Sequence, residues 1–141
     1  MPTIFTRIIE GELPGTFVWR DELCVSFMSI NPLQRGHALV VPIEEVDHWV
    51  DASPELNAHL FDVAQTISSA IAAAFDPERV GLMIAGLEVP HLHIHLVPIF
   101  GVHDLDFANA AKSVDPADLE SAAGAIRVAL HAAGAAGVSE R

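Results

Sequence analysis

The stretch Val89-Pro90-His91-Leu92-His93-Ile94-His95-Leu96-Val97-Pro98 decides how this chain is read. Three histidines alternate with Leu92, Ile94 and Leu96, the period-two signature of a β-strand. The spacing predicts a strand over 91–97 with all three imidazoles on one face, at about 7 Å intervals, and the aliphatic residues in a core on the other. Pro90 and Pro98 each lack an N–H and are expected to bound it. A lone strand histidine is ordinarily a satisfied polar residue. Three on one face of a chain with eight in all suit one of two chemistries. Neutral imidazoles ligate zinc or iron, or one ring attacks while its neighbours position and charge-balance the target.

At 141 residues and 51 % hydrophobic, the chain is expected to form one domain with a sizeable core. Nineteen acidic against seven basic residues give a formal charge of −12, a field that argues against nucleic acid as a partner. A small phosphate ester can still bind, because a few local donors outweigh a screened distant field. The lone Cys24 leaves no internal disulfide and reads as a core residue. No apolar run has signal-peptide or membrane-spanning length, so the expectation is a cytoplasmic protein without a membrane partner.

Around the histidine stretch, Ile4, Phe5, Ile8 and Ile9 make a short helical pattern over 4–10 that stops at Gly11. Thr16–Trp19 and Leu23–Phe27 flank Arg20-Asp21-Glu22 as a hairpin. His37–Val41 is a strand closed by Pro42, with His37, Leu39 and Val41 on one face; His37 alone could point into a site or merely begin a strand. Ser53-Pro54-Glu55 starts a helix, with Ser53 as N-cap and Pro54 in the first turn. Leu56, Leu60, Val63, Ile67, Ile71 and Phe75 carry it to Asp76-Pro77. Residues 80–85 form a strand that pairs antiparallel with the histidine strand. Asp115-Pro116 opens a last helix with Leu119, Ala122, Ile126 and Leu130 on its apolar face, and residues 131–138 look frayed. His48 and His59 fall outside any cluster and read as surface or capping residues.

In order and spacing, His91-Leu-His93-Ile-His95-Leu-Val97 resembles the defining motif of the histidine triad family of nucleotide hydrolases and transferases. The resemblance extends to Ile4–Pro14, Phe27-Met-Ser-Ile-Asn-Pro32 and Gly36-His-Ala-Leu-Val-Val-Pro42 and covers roughly residues 3 to 108. It implies an α+β fold: an antiparallel sheet of about five strands that includes 37–41, 80–85 and 91–97, with helix 54–75 packed on one face. Residues 1–108 would form this HIT-like domain and 109–141 a helical extension of it.

The resemblance further implies attack by His93 on the α-phosphorus of a nucleoside phosphoester or phosphoramidate, giving a nucleotidyl-histidine that water resolves. His95 would bond phosphate oxygens and His91 would orient the array. Substrate contacts fall to His37, to Ser29 and Ile30, and to Glu88 and Val89 in the loop before the triad. No cofactor is implied, and the partners are a nucleotide substrate and a second copy of the chain in a symmetric homodimer. Activity should fall on the acid side near pH 6 to 7, the ordinary histidine range.

Three departures from the family pattern stand out. Thr3 and Thr6 replace a Cys-x-x-Cys that holds structural zinc in many members, so that site should be absent even with His48 retained. Ser29 replaces an acidic or amide residue on the ribose, and the loop Gly86–Pro90 is short. Two other readings remain: a non-catalytic nucleotide- or partner-binding module, and a metal-dependent hydrolase with His91, His93 and His95 as ligands.

Overall fold

Alternation along five strands sorts their side chains onto two unlike faces. In the computed structural model, which describes residues 1–141, the elements are α1 (Ile4–Ile9), β1 (Phe17–Arg20), β2 (Cys24–Met28), β3 (Ala38–Pro42), α2 (Pro54–Phe75), β4 (Arg79–Met83), β5 (Ile94–Ile99) and α3 (Pro116–Ala132). The strands form one antiparallel sheet in the order β1-β2-β3-β5-β4. This is the expected HIT-like α+β architecture. No helix is long and apolar enough to cross a membrane.

One face carries Val18, Cys24, Met28, Ala38, Val40, Leu92, Ile94 and Leu96, buried against α2 and α3. The other carries Phe17, Val25, Phe27, Leu39 and Val41, closed by Phe5 from α1. Leu39 pairs directly with His95, and Ala38 with Leu96. Directly opposed residues share a face, so His95 lies on the α1 side while Leu96 lies on the α2 side.

Helix α2 forms where its sequence dictates. The Ser53 hydroxyl accepts the Leu56 N–H at 3.0 Å, Pro54 occupies the first turn, and Asp76 stops the helix in a left-handed conformation (φ 50°). Leu56, Leu60, Val63, Ala64, Ile67, Ala70 and Ile71 supply its buried stripe. Gly36, at φ 102°, lets the chain turn tightly into His37, and a Cβ there would lie 2.6 Å from the Phe75 ring.

The histidine stretch is less regular than its sequence suggests. Ladder pairing begins at Ile94, so His91 and His93 precede the strand, although their alternation persists: Leu92 packs with the α2 core. Pro98 does not end the strand; it pairs with Val80 on β4, where β3 has already stopped at Leu96. With one neighbour strand at that point, the missing N–H is tolerated.

The C-terminal third is not frayed. On α3, Ala122, Ala123, Ile126 and Leu130 join the main core. The chain then turns at Gly134 (φ 78°) and returns along β1. Val138 bridges Trp19, Arg20 N–H bonds the Gly137 carbonyl at 2.9 Å, and Ser139 N–H bonds the Val18 carbonyl at 3.0 Å. Arg127, 7 % exposed, donates to the carbonyls of Phe17 (2.9 and 2.6 Å) and Ser139 (2.9 Å). Arg127→Met keeps the bulk but leaves the Phe17 carbonyl short of donors. It should lower stability by about 1–3 kcal/mol in urea denaturation; an unchanged midpoint would show that the strap is held by other contacts.

Candidate active site

Four histidines meet on the α1 side of the sheet. His37 arrives from the turn before β3, His91 and His93 from the run into β5, and His95 from β5 itself. His37 and His91 are 1 % and 0 % exposed, while His93 and His95 are 7 % and 9 % exposed. The His93 and His95 rings stand 5.0 Å apart, and His37 and His95 5.2 Å apart.

The backbone settles where each proton resides. The Leu33 amide lies 3.0 Å from His37 Nδ1. An amide can only donate, so His37 Nδ1 accepts and its proton sits on Nε2. That Nε2–H points to His95 Nδ1 at 3.0 Å, which leaves the His95 proton on Nε2, at the open end of the ring. His93 Nδ1 lies 2.7 Å from the His91 carbonyl, which can only accept. The Nδ1 proton is therefore spent there, and the lone pair of His93 sits on Nε2. One ring offers a lone pair and its neighbour an N–H. His91 has no free nitrogen: Nε2 meets the Pro42 carbonyl at 2.7 Å and Nδ1 the Thr3 hydroxyl at 2.6 Å. The cluster thus presents two ring nitrogens to a ligand, one short of a three-imidazole metal centre.

Burial holds all four rings neutral. It is the main cause that pushes His37 down to about 3, aided by His95 and His93, and His95 down to about 4, aided by His93. Burial also lowers His91, against the opposing pull of the Pro42 carbonyl and Glu45. His93 is lowered by burial too, against the His91 carbonyl and the Glu88 carboxylate.

The other predicted site residues differ in their ties to this cluster. Ser29 accepts the Asn31 amide at 3.2 Å, and its backbone N–H bonds the His37 carbonyl at 3.0 Å. Ile30 is 67 % exposed. Val89 packs with the Phe5 face, and its carbonyl accepts the His91 N–H at 2.8 Å. Glu88 is exposed, with its charge felt at His93.

Several neighbours were not legible in the sequence. Phe5 packs edge-on against His93 at 4.9 Å, and Phe107, from a short turn after β5, against His95 at 5.1 Å. A cavity of about 250 Å³ beside His93 is lined by Asp47, His48, Trp49, Leu87 and Leu92. His48 therefore belongs to the site's rim, although it stands apart in the sequence. The residue beside Thr3 and Thr6 is Glu45.

A second polar cluster lies away from the triad. Asp21, Cys24 and His59 bring their ligand atoms within 4.8 Å of one another. Asp21 already accepts from Trp19 Nε1, the Leu23 and Cys24 amides and His59 Nε2, so these contacts staple the hairpin to α2. Burial and Asp21 push the Cys24 thiol well up, which keeps it protonated.

The HIT domain model matches residues 10–102. The chain belongs to the HIT family. It is 30 % identical over 131 residues to Protein hit of Bacillus subtilis, covering 87 % of this chain and 90 % of that protein. It is 30 % identical over 103 residues to the adenosine 5'-monophosphoramidase hnt1 of Schizosaccharomyces pombe, covering 70 % and 74 %. Among solved structures it resembles a Zn-bound histidine triad family protein from Mycobacterium smegmatis, with a TM-score of 0.79, 27 % identity and coverage of 93 % and 94 %.

The buried neutral rings tie stability to pH. Unfolded, His37 and His95 titrate near 6.5; folded, near 3 and 4. Below 6.5 the unfolded chain binds more protons, so stability present above that pH falls as acid is added, down towards the folded values. Each histidine should contribute on the order of 1.4 kcal/mol per pH unit of loss. Urea denaturation between about pH 7.5 and about pH 5 should show this decline, and a flat profile would contradict the neutral cluster.

Proposed function

We propose that this protein is a nucleotide-binding hydrolase or transferase acting at the α-phosphate of a nucleoside phosphoramidate or phosphoester, through a covalent nucleotidyl-histidine on His93. The observation that carries this reading is the split of roles between adjacent rings. His93 turns a lone pair outward and His95 an N–H. The relationship to a protein named as an adenosine 5'-monophosphoramidase supports the same chemistry.

In the first step the His93 Nε2 lone pair forms a bond to phosphorus, and the bond from phosphorus to the leaving group breaks. The leaving group takes that electron pair and a proton from solvent. The new imidazolium keeps its Nδ1–H on the His91 carbonyl, which disperses the positive charge. His95 Nε2–H donates to a phosphoryl oxygen as negative charge develops there. Water then adds to phosphorus and gives up a proton to solvent, the N–P bond breaks, and its electron pair returns to His93 Nε2. In this reading Ser29 and Ile30 would meet the nucleoside.

The charges around His93 favour an amine as leaving group. Glu88 acts on the ring, and Asp47 lines the adjoining cavity. Two carboxylates disfavour a departing polyphosphate or sulfate and favour a neutral amine that leaves as an ammonium. The protein should therefore hydrolyse an adenosine phosphoramidate at least tenfold faster, by kcat/KM, than a dinucleoside polyphosphate. The reverse order would refute the amine assignment.

His93→Ala should lower turnover at least about a thousandfold while retaining nucleotide affinity. Brief acid quench and peptide mapping should place the adduct on His93. Turnover that survives in His93→Ala, or an adduct on another histidine, would refute the nucleophile. A chelator should leave activity unchanged; loss restored by zinc would favour the metal-hydrolase reading. Because burial lowers His93, the acid limb of kcat/KM should lie below the ordinary histidine value.

The assembly we propose is a homodimer formed through β4, the sheet edge that the C-terminal strap leaves open. Sedimentation at micromolar concentration should show a species of twice 15.1 kDa; a single-chain mass would refute it.

A further inference from the structure

We propose that Thr3 and Glu45 are positioning residues for the His93 nucleophile, acting through His91 as a hydrogen-bonded clamp that needs no metal ion. The proposal rests on the catalytic reading above and adds what holds the nucleophile in place.

The need for such a clamp follows from the strand's late start. His91 and His93 precede β5, so no ladder on either side fixes the segment that aims the nucleophile. Yet the His93 tautomer depends on one carbonyl, that of His91, 2.7 Å from Nδ1. Something else must hold residue 91.

What holds it is a connected set of hydrogen bonds. His91 Nε2–H donates to the Pro42 carbonyl at 2.7 Å, which leaves Nδ1 as an acceptor. The Thr3 hydroxyl donates to that nitrogen at 2.6 Å and accepts the Thr6 amide at 3.1 Å. Glu45 Oε2 accepts the Thr3 amide and the Thr6 hydroxyl, both at 2.7 Å. The Thr6 oxygen also lies 3.3 Å from the Thr3 hydroxyl, but the lone pair on His91 Nδ1, at 2.6 Å, is the nearer acceptor for the Thr3 proton. Thr3 also begins α1, so the same element delivers the Phe5 ring against both His91 (5.8 Å) and His93 (4.9 Å). The backbone amides of His91 and Leu92 are tied to the Val89 and Val46 carbonyls, each at 2.8 Å.

Zinc does not fit this donor set. The family's thiolate positions hold two neutral hydroxyls, whose protons are committed to His91 and Glu45, and the carboxylate already accepts twice at one oxygen. A cation would have to break those bonds to reach a single imidazole nitrogen, without a thiolate in return. The hydrogen bonds to His91 do what outer-shell partners do for a ligand histidine: they select the tautomer and fix the ring.

Thr3→Val preserves shape and removes the hydroxyl, whereas Thr3→Ser preserves the hydroxyl. On an adenosine phosphoramidate, Thr3→Val should lower kcat by about 10- to 100-fold with KM within about twofold, and Thr3→Ser should restore most of the loss. Glu45→Ala should fall in the same direction, and Glu45→Gln, which keeps an acceptor oxygen, much less. An independent readout is the ring 15N spectrum. His91 should be a single Nε2–H tautomer in the wild type and a mixture in Thr3→Val, and one equivalent of zinc should shift neither.

Equal losses in Thr3→Val and Thr3→Ser, unchanged His91 signals in Thr3→Val, or stoichiometric zinc binding that moves those signals would each overturn the clamp. Failure of the wild type to turn over phosphoramidates would count against the catalytic reading instead. The 15N comparison would still decide the clamp.

Discussion

Everything in this molecule hangs on the alternation of residues 91 to 96. Leu92, Ile94 and Leu96 are driven into the core beneath α2 and α3, each burial contributing on the order of 1.5–3 kcal/mol. That anchoring leaves the three imidazoles no choice of side. They are carried onto the opposite face and buried there, where charged rings are disfavoured and their nitrogens need partners. The aliphatic half of the stretch thus supplies the driving force that strips water from the histidine half.

Desolvation alone would give four neutral rings with arbitrary tautomers. The direction of proton donation is imposed from outside, by groups that cannot reverse. The Leu33 amide can only donate, and the Pro42 and His91 carbonyls can only accept. Because His37 passes its polarity to His95, one amide in the loop before β3 determines which atom of His95, on a different strand, carries the proton. His37 is the relay between them, and its nearly complete burial keeps solvent from competing for either nitrogen.

Much of the architecture was legible because it is written in periodicity and punctuation. The boundaries of α2 follow from Ser53-Pro54 at one end and Asp76-Pro77 at the other. The antiparallel pairing of β4 with β5 follows from the short connection between them, and the grouping of the histidines from alternation. What escaped depends on contacts distant in sequence or carried by the backbone. The Leu33 amide has no signature in residue type. Phe107 reaches His95 only because two short turns fold back after β5. Pro98 read as a terminator because its tolerance depends on where the neighbouring strand stops. Glu45 carried no signal until Thr3 and Thr6 were brought against it, and His48 none until the loops around it enclosed a cavity. The small-residue run after α3 looked disordered because its partners are β1 amides and carbonyls, which composition does not reveal.

The strap along β1 also bears on how the sheet could grow. A sheet with two free edges can add neighbours indefinitely, as a monomer with two reactive ends polymerises. Here residues 137–139 occupy hydrogen-bonding groups of the β1 edge, while no strand lies beyond β4 at the other. Residues 137–139 thus shield one side of a sheet rich in Val, Ile and Leu from the stacking that bare edges invite.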